Sequence, residues 1–184
     1  RRFADALDPG LGTAQPRDAV DSVRLIVDDL REEFPDAELR LVVRDTGWMR
    51  AHESVFAAVE EVIRNGIEHT GVDVPRVAVT LDTTGPPDEG EVTVEVADNG
   101  PGMPEDERSV LTEGGETQLT HASGIGLWLV NWAVTKSGGD LGFEENDPTG
   151  SVVTMRLPRV PRPPEDGESP EEGSEAGART DGGS

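Results

Sequence analysis

The segment ADNGPGM places a carboxylate and two glycines directly after a predicted β-strand. Asp-Asn-Gly is strong turn chemistry, so a tight turn is one interpretation. The chain, however, continues through Gly100 and Gly102 into a long polar loop, which is not a two-residue hairpin. In the other interpretation the glycines let the backbone approach a flat ligand closely, and the Asp98 carboxylate accepts from a donor on that ligand. The acidic spacing of a calcium loop does not occur in this segment.

A second segment, SGIGLWLVNW, places Gly124 and Gly126 at the start of a predicted helix. Unpaired backbone N–H groups and the positive end of the helix dipole make such a start suitable for an anion. The segment has neither the Gly-Lys-Ser/Thr of a P-loop nor the third glycine of a dinucleotide fingerprint. On its own, a Gly-x-Gly is weak evidence for a phosphate site.

The third segment, EVIRNGIEHT, ends an amphipathic helix with a polar stripe. Glu61, Asn65, Glu68 and His69 recur at intervals of three and four residues, which places them on one face, opposite the valines and isoleucines. The solvated side of an ordinary amphipathic helix has the same pattern. Asn65 gains little there, however, because its side chain competes for backbone hydrogen bonds. The helix alone therefore leaves both interpretations open.

The elements that must position these segments follow from hydrophobic periodicity. We predict an α+β fold, a two-layer α/β sandwich whose mixed, mostly antiparallel sheet is covered on one face by helices. The chain begins with a helix that buries Val20 to Leu30 and ends at Pro35, followed by a strand over Glu38–Val43 and a helix over Glu53–His69. Next come a hairpin of Arg76–Asp82 and Glu91–Asp98, and then a helix from Gly124 that Gly138 and Gly139 close. The last predicted element is a hairpin around 147–150.

Composition limits the partners of this chain of 184 residues. The net charge of -22 repels nucleic acid, and no Lys/Arg cluster reverses it locally, so no nucleic-acid partner is predicted. Acidic residues are spread over the whole chain, and Lys136 is the only lysine, which indicates a halophile-like solvation habit. There is no cysteine, and no apolar run reaches the length of a membrane span.

Composition also divides the chain. Residues 18–158 hold most of the large apolar residues, and we expect one domain there. Residues 159–184 are acidic and rich in Gly and Pro, which predicts a disordered tail. Because the chain opens with Arg1, residues 1–17 are predicted to be a linker from an upstream region. The stretch from Gly100 to Ser123, with a short helix from Pro104, is a candidate lid.

The order and spacing of the three segments resemble the Bergerat-type ATP-binding fold over about residues 18–158. EEVIRNGIEHT is similar to the N box of that superfamily, DNGPG to its G1 box and SGIGLWLV to its G2 box. Within the superfamily, GIGLWLVNWAVTKSGGDL and the short lid look most like the catalytic domain of two-component sensor histidine kinases, haloarchaeal ones in particular.

The resemblance implies ATP and Mg²⁺ as cofactors, and a role for each matching residue. Asn65 matches the asparagine that ligates Mg²⁺, and Glu61 the glutamate that orients the attacking group or a metal-bound water. Asp98 matches the carboxylate that accepts from the adenine amino group. His69 matches an aromatic residue or histidine at the end of the N box. The implied backbone contacts to the base and the phosphates come from Gly100, Gly102, Ser123, Gly124, Ile125, Gly126 and Leu127.

The sequence departs from the family pattern in three places. Ala122 replaces the first glycine of the G2 box, Glu68 stands where a Lys or Arg is frequent, and no phenylalanine-rich F box is present. A cation for the γ-phosphate would then come from Arg108, His121, Arg64 or Mg²⁺ itself.

The resemblance also implies the reaction and the partners. His52, His69 and His121 all lie inside the ATP-binding domain, so the acceptor histidine is expected on a separate dimerisation domain, upstream or in trans. A response-regulator receiver domain would take the phosphoryl group next, homodimerisation would use the upstream region, and the domain would be cytoplasmic. The alternatives are a serine kinase of the anti-sigma-factor type and a nucleotide-binding module without turnover.

Overall fold

A computed structural model describes residues 13–69, 71–102 and 122–164 of the chain. These residues form three helices and seven strands: β1 (Gln15–Asp18), α1 (Ala19–Glu33), β2 (Glu38–Val43), β3 (Trp48–Ala51), α2 (Glu53–Glu68), β4 (Arg76–Thr84), β5 (Glu91–Asp98), α3 (Ala122–Lys136), β6 (Asp140–Glu145) and β7 (Ser151–Val160).

The seven strands form one mixed sheet in the order β1-β3-β7-β5-β4-β2, with β6 also paired to β7. Only the β2–β4 pair is parallel among these strands. The predicted hairpins are present, since Thr84 pairs with Glu91 and Glu145 with Ser151. β7 pairs with β5 along most of its length, so it joins the two hairpins into one sheet.

The three helices pack on the sheet and bury its alternate residues, which confirms the predicted α+β fold. Val77, Val79 and Leu81 of β4 point into this core, as the period of two predicts. α2 supplies an apolar stripe with helical spacing: Val55, Val59, Val62 and Ile63 are all at most 5% exposed. α2 is therefore held on one side by the core, while its polar stripe faces away from it.

The ends of the helices are fixed by specific caps. His52 caps the N-terminus of α2, because its Nδ1 accepts from the Ser54 N–H at 3.2 Å, and its ring is buried at an angle to Trp132. α3 ends as predicted, with Gly138 at a φ of +78° and the Gly139 N–H donating to the Val134 carbonyl. None of the described helices combines the length and the apolar character needed to cross a membrane.

Two short strands were not predicted from the sequence. β3 is only four residues long, and β1 is exposed over most of its length, so neither has a run of alternation long enough to identify. Both lie at the edge of the sheet, where β1 pairs with β3 and β3 pairs with the end of β7.

Because of these two edge pairs, the regular structure extends beyond the predicted limits of the domain at both ends. Among the described residues, regular structure runs from Gln15, inside the expected linker, to Val160, two residues past the expected boundary at Pro158. Val160 is buried against Trp48, its partner in β3. The predicted tail beyond residue 164 and the part of the lid from 103 to 121 lie outside the described residues, so both stay predictions.

Candidate functional site

Glu61 and Asn65 lie one turn apart on the polar stripe of α2, and their side chains contact each other. The Asn65 Nδ2 group donates to Glu61 Oε1 at 3.4 Å, and both residues are half-buried. With the amide in this orientation, which the hydrogen bond favours, Oδ1 points away from Glu61. Oδ1 receives no hydrogen bond from the described residues. An anchored amide with an open oxygen is a suitable donor for a hard cation such as Mg²⁺.

Gly126 brings the start of α3 against this pair. A Cβ built on Gly126 would lie 3.1 Å from Glu61 Oε1 and 3.8 Å from Asn65 Nδ2. A side chain at this position would therefore require the Glu61 carboxylate to shift by a few tenths of an ångström. The structure thus brings together two of the segments that are far apart in the sequence.

The backbone of Ser123, Gly124, Ile125, Gly126 and Leu127 belongs to the first two turns of α3, which begins at Ala122, two residues before the predicted start. The first N–H groups of a helix have no partner within it and carry the positive end of the dipole. The contact of Gly126 with Glu61 and Asn65 places these N–H groups near the polar stripe of α2.

Gly66 brings the third segment to the same place. A Cβ on Gly66 would lie 3.2 Å from Val77 Cγ2 and 3.3 Å from Asp98 Cβ. The glycine therefore lets α2 pack closely on the ends of β4 and β5, with Asp98 beside Gly66, the residue that follows Asn65. The poor helix former beside Asn65 is explained by this close packing.

Asp98 is the last residue of β5, and its carboxylate is held on one side. Oδ1 accepts from the Gly100 N–H at 2.8 Å and from the Ser151 N–H at 3.3 Å. Gly100 is buried, and Gly102 adopts a φ of +87° beside the Gly150 carbonyl. Oδ2 has no hydrogen-bond partner among the described residues, so it is the atom that a ligand donor can reach.

The turn between β6 and β7 also contacts Asp98, and sequence reasoning missed it. Gly150 lies so close that a Cβ there would be 2.0 Å from the Asp98 carbonyl oxygen. Asn146 donates from Nδ2 to the same carbonyl at 2.6 Å. In the sequence, Asn-Asp-Pro-Thr-Gly shows only a turn, because nothing local reveals that the turn packs on a residue 48 positions away.

The other residues of the α2 stripe lie apart from this contact. His69 is exposed at the C-cap of α2, where its backbone N–H donates to the Asn65 carbonyl. Glu68 is exposed and lies 3.9 Å from Arg64. The structure therefore places neither side chain in contact with Glu61, Asn65 or Asp98.

Arg64 is engaged elsewhere, and it is not an available phosphate ligand in this structure. It forms a bidentate pair with Glu33 of α1, at 2.6 and 2.8 Å, and a hydrogen bond to Glu60 at 3.2 Å. Its guanidinium also lies 5.3 Å from the centre of the Phe34 ring. The hydrogen bond to Glu33 raises the pKa of Arg64 above its ordinary value. Arg108 and His121, the other protein cations considered, lie outside the described residues.

Comparison with known proteins identifies a family. A model of the family described as histidine kinase-, DNA gyrase B- and HSP90-like ATPase matches residues 50–161. The sensor-type histidine kinase PrrB of Mycobacterium bovis is 29% identical over 147 residues, which cover 78% of this chain and 32% of that protein. The chain therefore spans about a third of the length of this curated relative.

Solved structures agree with this result. A mycobacterial sensor histidine kinase MprB superposes with a TM-score of 0.65 at 26% identity, covering 81% of this chain and 99% of that one. The ATP-binding domain of PrrB from Mycobacterium tuberculosis gives a TM-score of 0.62 at 25% identity, covering 82% and 100%.

Proposed function

Because this chain belongs to the family of histidine kinase-, DNA gyrase B- and HSP90-like ATPases, we propose that it is the ATP-binding catalytic domain of a sensor histidine kinase. The observation that supports this proposal best is the close approach of Gly126 to both Glu61 and Asn65, while Gly66, the residue after Asn65, packs on Asp98. Three segments with the chemistry for a base, a triphosphate and a cation meet there, although they are distant in the sequence.

Each segment has its own task in this proposal. The open Oδ2 of Asp98 accepts from the adenine amino group, while the small Gly100 and Gly102 leave room for the ring. The start of α3, from Ser123 to Leu127, lies against the phosphates, and the N–H groups of its first turn, which have no partner within the helix, donate to them. His69, at the end of the stripe, is proposed to contact the nucleotide from the solvent side.

Mg²⁺ fits the residues present, since Asn65 offers an anchored amide with an open oxygen and this ion is usually held by few protein oxygens together with substrate phosphates. Bound there, it would neutralise charge on the triphosphate. Glu61, beside Asn65, either accepts a hydrogen bond from the attacking imidazole or orients a metal-bound water.

The proposed reaction transfers the γ-phosphoryl group to a histidine. A bond forms between an imidazole nitrogen and the γ-phosphorus as the bond to the bridging oxygen breaks, and ADP leaves. The acceptor belongs to a histidine-containing dimerisation domain, upstream or in trans, which also makes the homodimer. A receiver domain of a response regulator then takes the phosphoryl group. This proposal places the domain in the cytoplasm. A haloarchaeal source stays a prediction that rests on the net charge.

The test is the chemistry of the product. This chain is mixed with radiolabelled Mg·ATP and the histidine-bearing domain encoded upstream, or one supplied in trans. The expected product is a phosphoprotein that is labile in acid and stable in base, as phosphohistidine is. An acid-stable phosphoserine would instead support the serine kinase, and nucleotide binding without transfer to any acceptor would support a binding module.

A further inference from the structure

Asn146 ties the turn between β6 and β7 to the backbone of Asp98. Its Nδ2 donates to the Asp98 carbonyl at 2.6 Å, a contact that is partly buried. Its own backbone N–H donates to the Gly150 carbonyl at 3.0 Å, and its Oδ1 accepts from the Asp147 N–H at 3.0 Å. Asn146 therefore closes the turn and, with its side chain, also holds the backbone of Asp98.

The hydrogen bond from Asn146 to Asp98 lies just beyond the end of the backbone pairing between β5 and β7. The β5–β7 ladder runs from Glu91–Pro158 to Ala97–Val152, so Asp98 lies one residue beyond its last pair. Without a ladder partner on the β7 side, the Asp98 carbonyl depends on the amide of Asn146. On its other side Asp98 pairs with Val77 of β4, so the end of β5 is held by that ladder on one side and by the side chain of a turn residue on the other.

Gly150 allows the turn to approach this closely. A Cβ there would lie 2.0 Å from the Asp98 carbonyl oxygen and 3.1 Å from Asp98 Oδ1, and the residue has a φ of +121°. Any other residue would push the turn away and strain the backbone. The next residue, Ser151, donates its N–H to Asp98 Oδ1 at 3.3 Å.

Together these contacts leave only one carboxylate oxygen of Asp98 open. Oδ1 is engaged by the N–H groups of Gly100 and Ser151. Since the backbone is also fixed through Asn146, the carboxylate has little freedom to rotate, and Oδ2 keeps one direction. A donor on a bound base would therefore meet an acceptor that is already oriented.

We propose that Asn146 is a positioning residue that sets base selectivity: by holding Asp98, it makes the site prefer a purine with an amino group at position 6. This proposal rests on the proposed function, because it requires Asp98 to accept from the adenine amino group. Asn146 itself acts only through Asp98.

The test compares two nucleotides in two variants. ATP and purine riboside triphosphate, which lacks the 6-amino group, are titrated in the presence of Mg²⁺ into the wild-type chain, Asn146→Ala and Asn146→Asp. Asn146→Asp keeps the shape and the acceptor for Asp147 but loses the donor to Asp98. We expect the dissociation constant for ATP to rise about tenfold in both variants, while the dissociation constant for the analogue changes by less than about twofold.

The control is Ser137→Ala, which removes a buried hydroxyl that accepts from the His52 N–H at 2.9 Å. It should lower the melting temperature without changing the ratio of the two affinities. If Asn146 had only a general structural role, its substitution would weaken the binding of both nucleotides equally, and this result would overturn the proposal.

The proposed function and this inference fail differently. A wild-type chain that binds both nucleotides equally would contradict the role of Asp98, and with it the inference. A wild-type preference for ATP that survives in Asn146→Asp would leave the function intact and overturn the inference alone. If Asn146→Ala does not fold, the comparison of the two nucleotides in Asn146→Asp still tests the role of Asn146.

Discussion

Gly126 of α3 packs beside Glu61 of α2, so closely that a Cβ on Gly126 would lie 3.1 Å from Glu61 Oε1. This packing joins the helix start proposed for phosphate to the carboxylate proposed for the attacking group. Because both groups belong to helices held by the core, a change at one of them is expected to reach the other.

Gly126→Ala is predicted to impair function without harming the fold. Alanine is the better helix former by about 1 kcal/mol, so the melting temperature should stay the same or rise. The new methyl group, however, requires the Glu61 carboxylate to shift by a few tenths of an ångström, and we expect the initial rate of phosphoryl transfer to fall by about threefold to tenfold. Thermal unfolding measured on the same sample separates the two effects.

A double variant tests the mechanism of that loss. In Glu61→Ala the shifted group is absent, so adding Gly126→Ala should lower the residual rate of phosphoryl transfer little further. If the two substitutions instead lower that rate independently, the methyl group acts on the ligand and not through Glu61.

Asn65→Ala is predicted to remove the magnesium dependence of ATP binding. The amide oxygen is the proposed ligand, so the dissociation constant for ATP in Mg²⁺ should rise about tenfold or more. With EDTA, the variant and the wild type should bind ATP equally, as measured by calorimetry. A loss of the same size in both conditions would place Asn65 on the nucleotide and not on the cation.

Arg64→Ala is predicted to lower stability and to leave nucleotide binding unchanged. The bidentate pair with Glu33 joins α1 to α2, and the guanidinium also packs on Phe34. Its loss should cost about 1–2 kcal/mol in denaturant unfolding. The dissociation constant for Mg·ATP should stay within about twofold, provided that the variant is measured where it is folded.

Arg24→Ala is the matched control for that experiment. Arg24 is exposed and lies 4.0 Å from Asp21 on the same helix, so its removal should change stability by less than about 0.5 kcal/mol. Weak ATP binding by Arg64→Ala without a loss of stability would indicate that Arg64 contacts the phosphates.

Asp45 provides a prediction on pH. A hydrogen bond from the Thr83 hydroxyl, and a second from the Thr46 N–H, lower the pKa of Asp45 below its ordinary value of 3.8. The ionised form is thus favoured in the folded state, so this contribution to stability is present above pH 3.8 and is lost as the pH falls through the lowered pKa.

Carboxyl NMR titration checks this prediction. In Thr83→Val the pKa of Asp45 should rise toward its ordinary value, because the strongest of these hydrogen bonds is gone. The neighbouring substitution Thr84→Val should leave it unchanged. An unchanged pKa in Thr83→Val would show that the hydroxyl does not bond to the carboxylate in solution.

Local signals were enough to predict most of the fold. Alternation identified β4 and β5, and the helical period of Val55 to Ile63 identified the buried face of α2, because one buried face imposes its period on the sequence. β1 has no buried face, and only its pairing with β3 defines it. Sequence patterns therefore found the core elements and missed the edge.

The candidate site was predicted only in part, for a similar reason. Residue type and spacing at Asp98 and Asn65 left a turn and a solvated helix face open as alternatives, and the roles proposed for both residues came from the resemblance to a family. The contacts of Gly66 with Val77 and of Asn146 with Asp98 join residues that are far apart in the chain. Such contacts leave no local pattern, so a turn and a weak helix end were all that the sequence showed.

β7 determines when this sheet can be completed during synthesis. It pairs with β3, β5 and β6, and all three of these strands leave the ribosome before it does. Until the nascent chain has released residues up to Val160, β5 and β6 each lack a neighbour, and the turn that holds Asp98 lacks the strand that follows it. The proposed nucleotide site can therefore form only after β7 has been made, so its assembly requires long-range pairing.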